Sequence, residues 1–140
     1  IDNRPIYKTK ELIKLIKDAL PKQNPIYIEK SIRRIFQAIR IQVNDEINEL
    51  KKSLTSIKDV ILKKGVIICI SYHSLEDKIV KNFMNGLTIG CTCDPSIAIC
   101  VCNKVESFKF PNKKKYYPSN EEIKTNSRAK SATLRYVVKL

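Results

Sequence analysis

The sequence predicts an α/β fold: the closing part of an α/β domain, preceded by a smaller all-helical unit. Two observations carry this. A helix-length amphipathic stretch leads to Gly65 and the apolar run "VIICIS" (66–71), which reads as a buried strand, and a further helical pattern follows. Two late strand-like segments, "ESFKF" (106–110) and "ATLRYVVKL" (132–140), flank a polar stretch rich in Lys, Asn and Ser. Residues 1–43 are assigned to the helical unit and 44–140 to the α/β part, with a cysteine hairpin at 90–103.

The elements follow in order. "TKELIKLIKDALPK" (9–22) puts Leu12, Ile13, Leu15, Ile16, Ala19 and Leu20 on one helical face, with Thr9 as N-cap and Pro21 as stop. "KQNP" (22–25) is a turn. A helix from about Ile28 to Val43 turns Ile32, Ile35, Phe36, Ile39 and Val43 inward, and its other side carries Arg33, Gln37 and Arg40, with Arg34 beside them. In residues 44–64 the stripe is Ile47, Leu50, Leu54, Ile57 and Ile61. After the strand, a helix from Ser74 to about Met84 buries Ile79, Val80 and Phe83.

"SYHSLEDKIVKNF" (71–83) sets a serine, the chain's one histidine and two carboxylates side by side. A hydrolase triad is excluded. No glycine flanks Ser71 or Ser74 to admit a nucleophile elbow, and triad members converge from separate elements. Ser74 reads instead as an N-cap with Asp77 at the third helical position, and Glu76 and Asp77 suit the positive helix end. Ser71, Tyr72 and His73 lie where open α/β sheets place their ligand crevice, at the carboxyl end of a strand. His73 either reaches a ligand or closes the loop, and Tyr72 either stacks on a base or joins the core.

Lys and Arg outnumber Asp and Glu 27 to 14, a formal net charge of +13, which suits a polyanion such as nucleic acid ahead of an acidic membrane. A Lys-, Ile- and Asn-rich composition would also put charge on solvated faces. Arg33, Arg34, Gln37 and Arg40 are the RNA-contact candidates, with Lys113, Lys114, Lys115 and Arg128 as outer phosphate contacts. Arg128 and Arg135 have a structural alternative, pairing with Glu46 or Asp77. No apolar run approaches the length of a membrane span. The chain begins at Ile1 rather than Met and is read as a fragment.

Four of the five cysteines fall in "CTCDPSIAICVC" (91–102); Cys69, in the apolar strand, reads as a small hydrophobe. Cys91, Cys93, Cys100 and Cys102 form two C-x-C pairs around a turn signal at Asp94-Pro95. A hairpin would gather four thiolates into a tetrahedral zinc site; free thiols or adventitious disulfides are the alternatives. "NPIY" (24–27) is similar to the N-P-P-Y signature of amino-directed methyltransferases, but it follows a lysine-rich helix end rather than a buried strand and is read as a turn.

Together, "FQAIRIQVNDEINEL" (36–50), "KGVIICISYHSLEDKIVKNF" (64–83) and "NSRAKSATLR" (126–135) resemble the ribosomal small-subunit RNA methyltransferase H family. The opening "RPIYKTKELIKLIK" is similar to that family's helical subdomain, and "CTCDPSIAICVC" to a cysteine-bearing insert of some members. Departures include Lys64 for the first glycine before the strand, Tyr72 for Phe, Ser127 for Pro, Lys130 for Arg, and Lys30-Ser31 for His-Pro.

The resemblance implies the C-terminal portion of a Rossmann-like methyltransferase with part of an inserted helical subdomain. It implies methylation of N4 of a cytosine in small-subunit ribosomal RNA, with S-adenosylmethionine as donor. The cofactor loop lies upstream in the family pattern, so no cofactor-binding residue is expected in this chain. A homodimer is left open. The location is the cytoplasm if the source is bacterial, and a mitochondrion or plastid-type organelle if it is eukaryotic. The second function class is a stand-alone basic RNA-binding module with a zinc-stabilised hairpin and no catalysis.

Overall fold

The computed structural model describes residues 5–94, 99–102, 104–112 and 115–140. The chain divides into two compact units, Ile1–Glu46 and Ile47–Leu140.

The first unit holds α1 (Thr9–Asp18) and α2 (Pro25–Val43), packed against each other. Lys8, not Thr9, is the N-cap residue of α1, because Glu11 reaches back to the Tyr7 and Lys8 amides at 3.0 and 3.2 Å. The helix start is thus satisfied from its third position rather than by the threonine hydroxyl. Helix α2 begins at Pro25, three residues before the expected Ile28. Asn24 caps it through Oδ1, which accepts from the Ile26 amide at 2.8 Å, and Pro25 follows as first residue. "NPIY" is therefore a helix start, not a turn. Ile32 and Phe36 are half-buried, whereas Ile35, Ile39 and Val43 are exposed. One ten-residue helix cannot cover the whole apolar stripe expected to face inward.

In the second unit α3 (Glu46–Val60) precedes β1 (Val66–Ser71), α4 (Ser74–Thr88), β2 (Phe108–Lys109), α5 (Asn120–Thr125), a short 3-10 helix (Ser127–Ser131) and β3 (Thr133–Lys139). The strands form an antiparallel sheet in the order β1-β3-β2, with Cys69 opposite Arg135 and Ser71 opposite Thr133. Leu54, Ile67, Val80, Met84, Phe108 and Val137 are the core beneath it. Burying each such side chain contributes about 1.5–3 kcal/mol.

Two differences from the sequence reading matter. Strand β1 is buried on one face only: Ile67 and Ser71 point into the core, while Val66, Ile68 and Ile70 are exposed. Side chains alternate across a strand, and no second layer covers its outer face among the described residues. The polar stretch before β3 is also structured, as α5 and the 3-10 helix, with Ser119 capping α5 through the Glu122 amide.

The α3–β1 connection shows why glycine is needed there. Helix α3 ends at Val60, and Lys64, not Gly65, takes the left-handed conformation, at φ 65°. Gly65 is required by space: a Cβ there would lie 2.6 Å from Ile61 Cγ1 and 2.7 Å from the Leu62 carbonyl oxygen. Lys139 closes the end of α3, its Nζ donating to the Ile61 and Lys58 carbonyls at 2.7 and 3.2 Å.

Candidate functional site

Strand β1 delivers Ser71, Tyr72 and His73 to the start of α4. His73, in extended conformation, is the N-cap: its Nδ1 accepts from the Glu76 amide at 3.4 Å. Glu76 completes the exchange by accepting from the Tyr72 amide at 3.0 Å. The buried His73 Nε2 lies 2.8 Å from Glu76 Oε1 without the alignment of a hydrogen bond. The reading of Ser74 as cap is thus corrected. The chain is still extended at His73, so the imidazole takes the place of a capping oxygen and the reciprocal carboxylate shifts from Asp77 to Glu76.

Asp77 has another task. Arg135, 6 % exposed in the middle of β3, donates to it through Nε at 2.7 Å and Nη2 at 3.0 Å. Lys115 Nζ stands 3.8 Å from the same carboxylate and also over the Tyr117 ring. The Arg135 hydrogen bond above all holds the Asp77 carboxyl below its usual range; the Arg135 and Lys115 charges act in the same direction against desolvation. Ser71 is buried, its Oγ donating to the Thr133 carbonyl at 3.4 Å. Of the three pocket-side candidates only Tyr72, 57 % exposed, presents its side chain to solvent; His73 is half-buried as a cap.

The outer face of the sheet carries an aromatic groove. Ile70, Tyr116, Tyr117, Pro118 and Leu134 line it, and the Tyr116 and Tyr136 rings lie 5.4 Å apart. The sequence reading missed this groove, because Tyr116 and Tyr117 sit in a stretch with no apolar period.

The basic candidates differ in their freedom. On α2, Arg33 is exposed and paired with Glu29, and Arg34 is exposed. Gln37 is half-buried rather than on an open face. Arg40 makes a two-pronged pair with Glu46, Nε–Oε1 2.8 Å and Nη2–Oε2 3.1 Å. Arg128 is exposed, and Lys115 is drawn to Asp77. Lys113 and Lys114 lie outside the described residues. The expected alternatives resolve accordingly: Arg135 pairs with Asp77, and Glu46 takes Arg40.

The four clustered cysteines converge. Their sulfurs all lie within 4.8 Å of one another, and all four are free thiols. Nearest separations are 3.4 Å for Cys91–Cys100, 3.5 Å for Cys100–Cys102, 3.7 Å for Cys91–Cys102 and 3.9 Å for Cys93–Cys100. Amides point at the sulfurs: Thr92 to Cys102 at 3.5 Å and Cys93 to Cys91 at 3.4 Å. The Thr92 and Lys104 amides bring the Cys102 thiol down to about 5. No β ladder joins the two C-x-C arms among the described residues, and Pro95 of the expected turn signal lies outside them.

A mixed fold with a core-facing Asp–Arg pair and a cysteine cluster defines an α/β protein with a basic surface. The pattern of the MraW methylase family matches residues 2–140, and the chain belongs to that family. Among its relatives is the Ribosomal RNA small subunit methyltransferase H of Clostridioides difficile (strain 630), 41% identical over 138 residues, which are 99% of this chain and 44% of the relative. The protein of the same name from Finegoldia magna is 40% identical over 140 residues, 99% of this chain and 45% of the relative. That of Geobacter sp. (strain M21) is 40% identical over 139 residues, again 99% and 45%. The chain thus spans less than half the length of these relatives.

Proposed function

We propose that this chain is the C-terminal part of an S-adenosylmethionine-dependent methyltransferase acting on N4 of a cytosine in small-subunit ribosomal RNA. The observation that carries the reading is the family match along residues 2–140. Relatives bearing an rRNA methyltransferase name and a net charge of +13 support an RNA substrate. In a bacterium its place would be the cytoplasm; no helix among the described residues is long and apolar enough to cross a membrane. A stand-alone RNA-binding module would account for the charge but not for the methylase pattern.

The residues present do not by themselves fit the methyl donor. Gly65, Gly86 and Gly90 stand apart, and no glycine-rich turn follows a strand. The donor pocket is assigned to the rest of the parent protein, and no step is routed through it. This chain's own part is positioning. A cytosine must leave its stack before its amine can react, and the Tyr72 ring, exposed at the end of β1, is the candidate to stack on it. The His73–Glu76 cap and the Asp77–Arg135 pair fix the backbone that carries Tyr72. Arg33, Arg34 and Arg128 supply exposed charge for phosphates. The exposed Val66, Ile68 and Ile70 face of β1 suits a further layer of a Rossmann-like sheet.

Reading the coding sequence upstream of Ile1 tests the proposal. An in-frame strand, glycine-rich loop and acidic strand end are expected. A stop codon and initiator directly upstream would leave the chain without a donor pocket and contradict it.

A further inference from the structure

The structure assigns a metal site to the insert between α4 and β2: Cys91, Cys93, Cys100 and Cys102 hold one structural zinc ion in an all-sulfur tetrahedron. With metal–sulfur bonds of about 2.3 Å, a regular tetrahedron has sulfur–sulfur edges of about 3.8 Å. The close separations, 3.4 to 3.9 Å, fall around that value. They are far above the roughly 2.05 Å of a disulfide. Four sulfurs also complete the coordination number that structural zinc prefers, leaving no open position for substrate or water.

The surroundings fit the charge of such a site. Binding replaces each remaining S–H proton with a sulfur–zinc bond and releases it to solvent, so four thiolates on a dication leave a local charge of −2. The Thr92 and Cys93 amides, which donate to Cys102 and Cys91, offset part of it. No carboxylate or imidazole is needed, because sulfur alone supplies the set.

The position gives the ion a purpose. The base of the insert is already closed, since the Ser107 amide donates to the Leu87 carbonyl at 3.3 Å and the Leu140 amide to the Ser107 carbonyl at 3.0 Å. Beyond that base, the described apolar residues Ile99, Val101 and Val105 stay out of the core, all more than 70 % exposed. Arms whose described apolar residues are so exposed gain from another tie, and a metal crossing from one C-x-C arm to the other provides it. This inference is independent of the methyltransferase reading.

The test is metal analysis of the whole chain, purified with reductant and without chelator, then exposed to excess zinc and desalted. The expected result is one zinc per chain, with the four insert thiols slow to react with a thiol reagent until a chelator is added. Replacing zinc with cobalt should give the intense visible bands of a tetrahedral thiolate complex. The double variant Cys91→Ser/Cys100→Ser should lose zinc while keeping the far-ultraviolet circular dichroism of the intact chain, because the core lies elsewhere. A folded protein without zinc and with four promptly reactive thiols would overturn the assignment. So would zinc that survives in the double variant.

Discussion

Arg135 reaches from the middle of β3 to clasp Asp77 on α4 with two hydrogen bonds, 2.7 and 3.0 Å long, while remaining 6 % exposed. The pair joins the last strand to the helix that leaves the strand end, so it fixes where Tyr72 and His73 stand. Removing one partner leaves the other charge largely out of water. Arg135→Met is therefore expected to destabilise the chain by about 3 kcal/mol, measured by urea unfolding. The double variant Asp77→Asn/Arg135→Met should recover much of that loss; a double variant as unstable as the single one would mean the pair's charge is not what matters.

The same pair sets an acid dependence. Asp77 has a folded-state pKa below its ordinary 3.8, mainly through the Arg135 hydrogen bond. Its stabilisation is fully present above the unfolded value and is lost as pH falls through the folded value. Unfolding free energy measured from about pH 6 to about pH 2 should fall on the acid side, and Asp77→Asn should flatten that limb. An unchanged acid slope in the variant would place the titration on other carboxylates.

Adjacent residues at the α3–β1 connection should respond in opposite senses. Lys64 is held at φ 65°, where a Cβ costs about 1 kcal/mol, so Lys64→Gly should be neutral or stabilising. Gly65→Ala forces a methyl group against Ile61 and the Leu62 carbonyl and should cost about 1–3 kcal/mol. Thermal melts of both variants check this, and equal effects would contradict the geometry.

Much of this architecture was legible in the sequence, but not its second layer of detail. The β1 and β3 strands announce themselves as apolar runs, and the heptad-like stripe from Leu50 to Ile61 announces α3. The outer face of β1 did not, because a continuous apolar run predicts burial on both faces and cannot say what covers them. His73 was missed as a cap since imidazole rarely serves as one, and Asn24-Pro25 was read as a turn although Asn then Pro is also a helix start. The α5 and 3-10 segments lack any apolar period. The cysteine spacing suggested a cluster; only the fold shows four sulfurs meeting.

Lys139 should matter beyond its charge. Its Nζ satisfies two carbonyls at the end of α3, Ile61 and Lys58. Lys139→Met keeps the apolar stem but removes the donor, and a loss of about 1–2 kcal/mol is expected. Hydrogen exchange should show faster opening confined to the last turn of α3. Uniform acceleration across the chain would argue against a local cap.

On the helical unit, Arg33→Glu/Arg34→Glu is the cleaner probe of RNA contact, because Arg40 is committed to Glu46 and its loss would also disturb the turn. The double variant should bind RNA more weakly and with a shallower dependence of affinity on salt. An unchanged salt slope would remove this face of α2 from the interface.

The most direct measurement is methyl transfer by the protein translated from the whole reading frame that contains this chain. It would be given labelled S-adenosylmethionine and unmethylated small ribosomal subunits, and the RNA digested to nucleosides. The account predicts label in N4-methylcytidine, lowered by Tyr72→Ala without loss of fold. Label on another atom, or no transfer to ribosomal RNA from a folded protein that binds the donor, would contradict it.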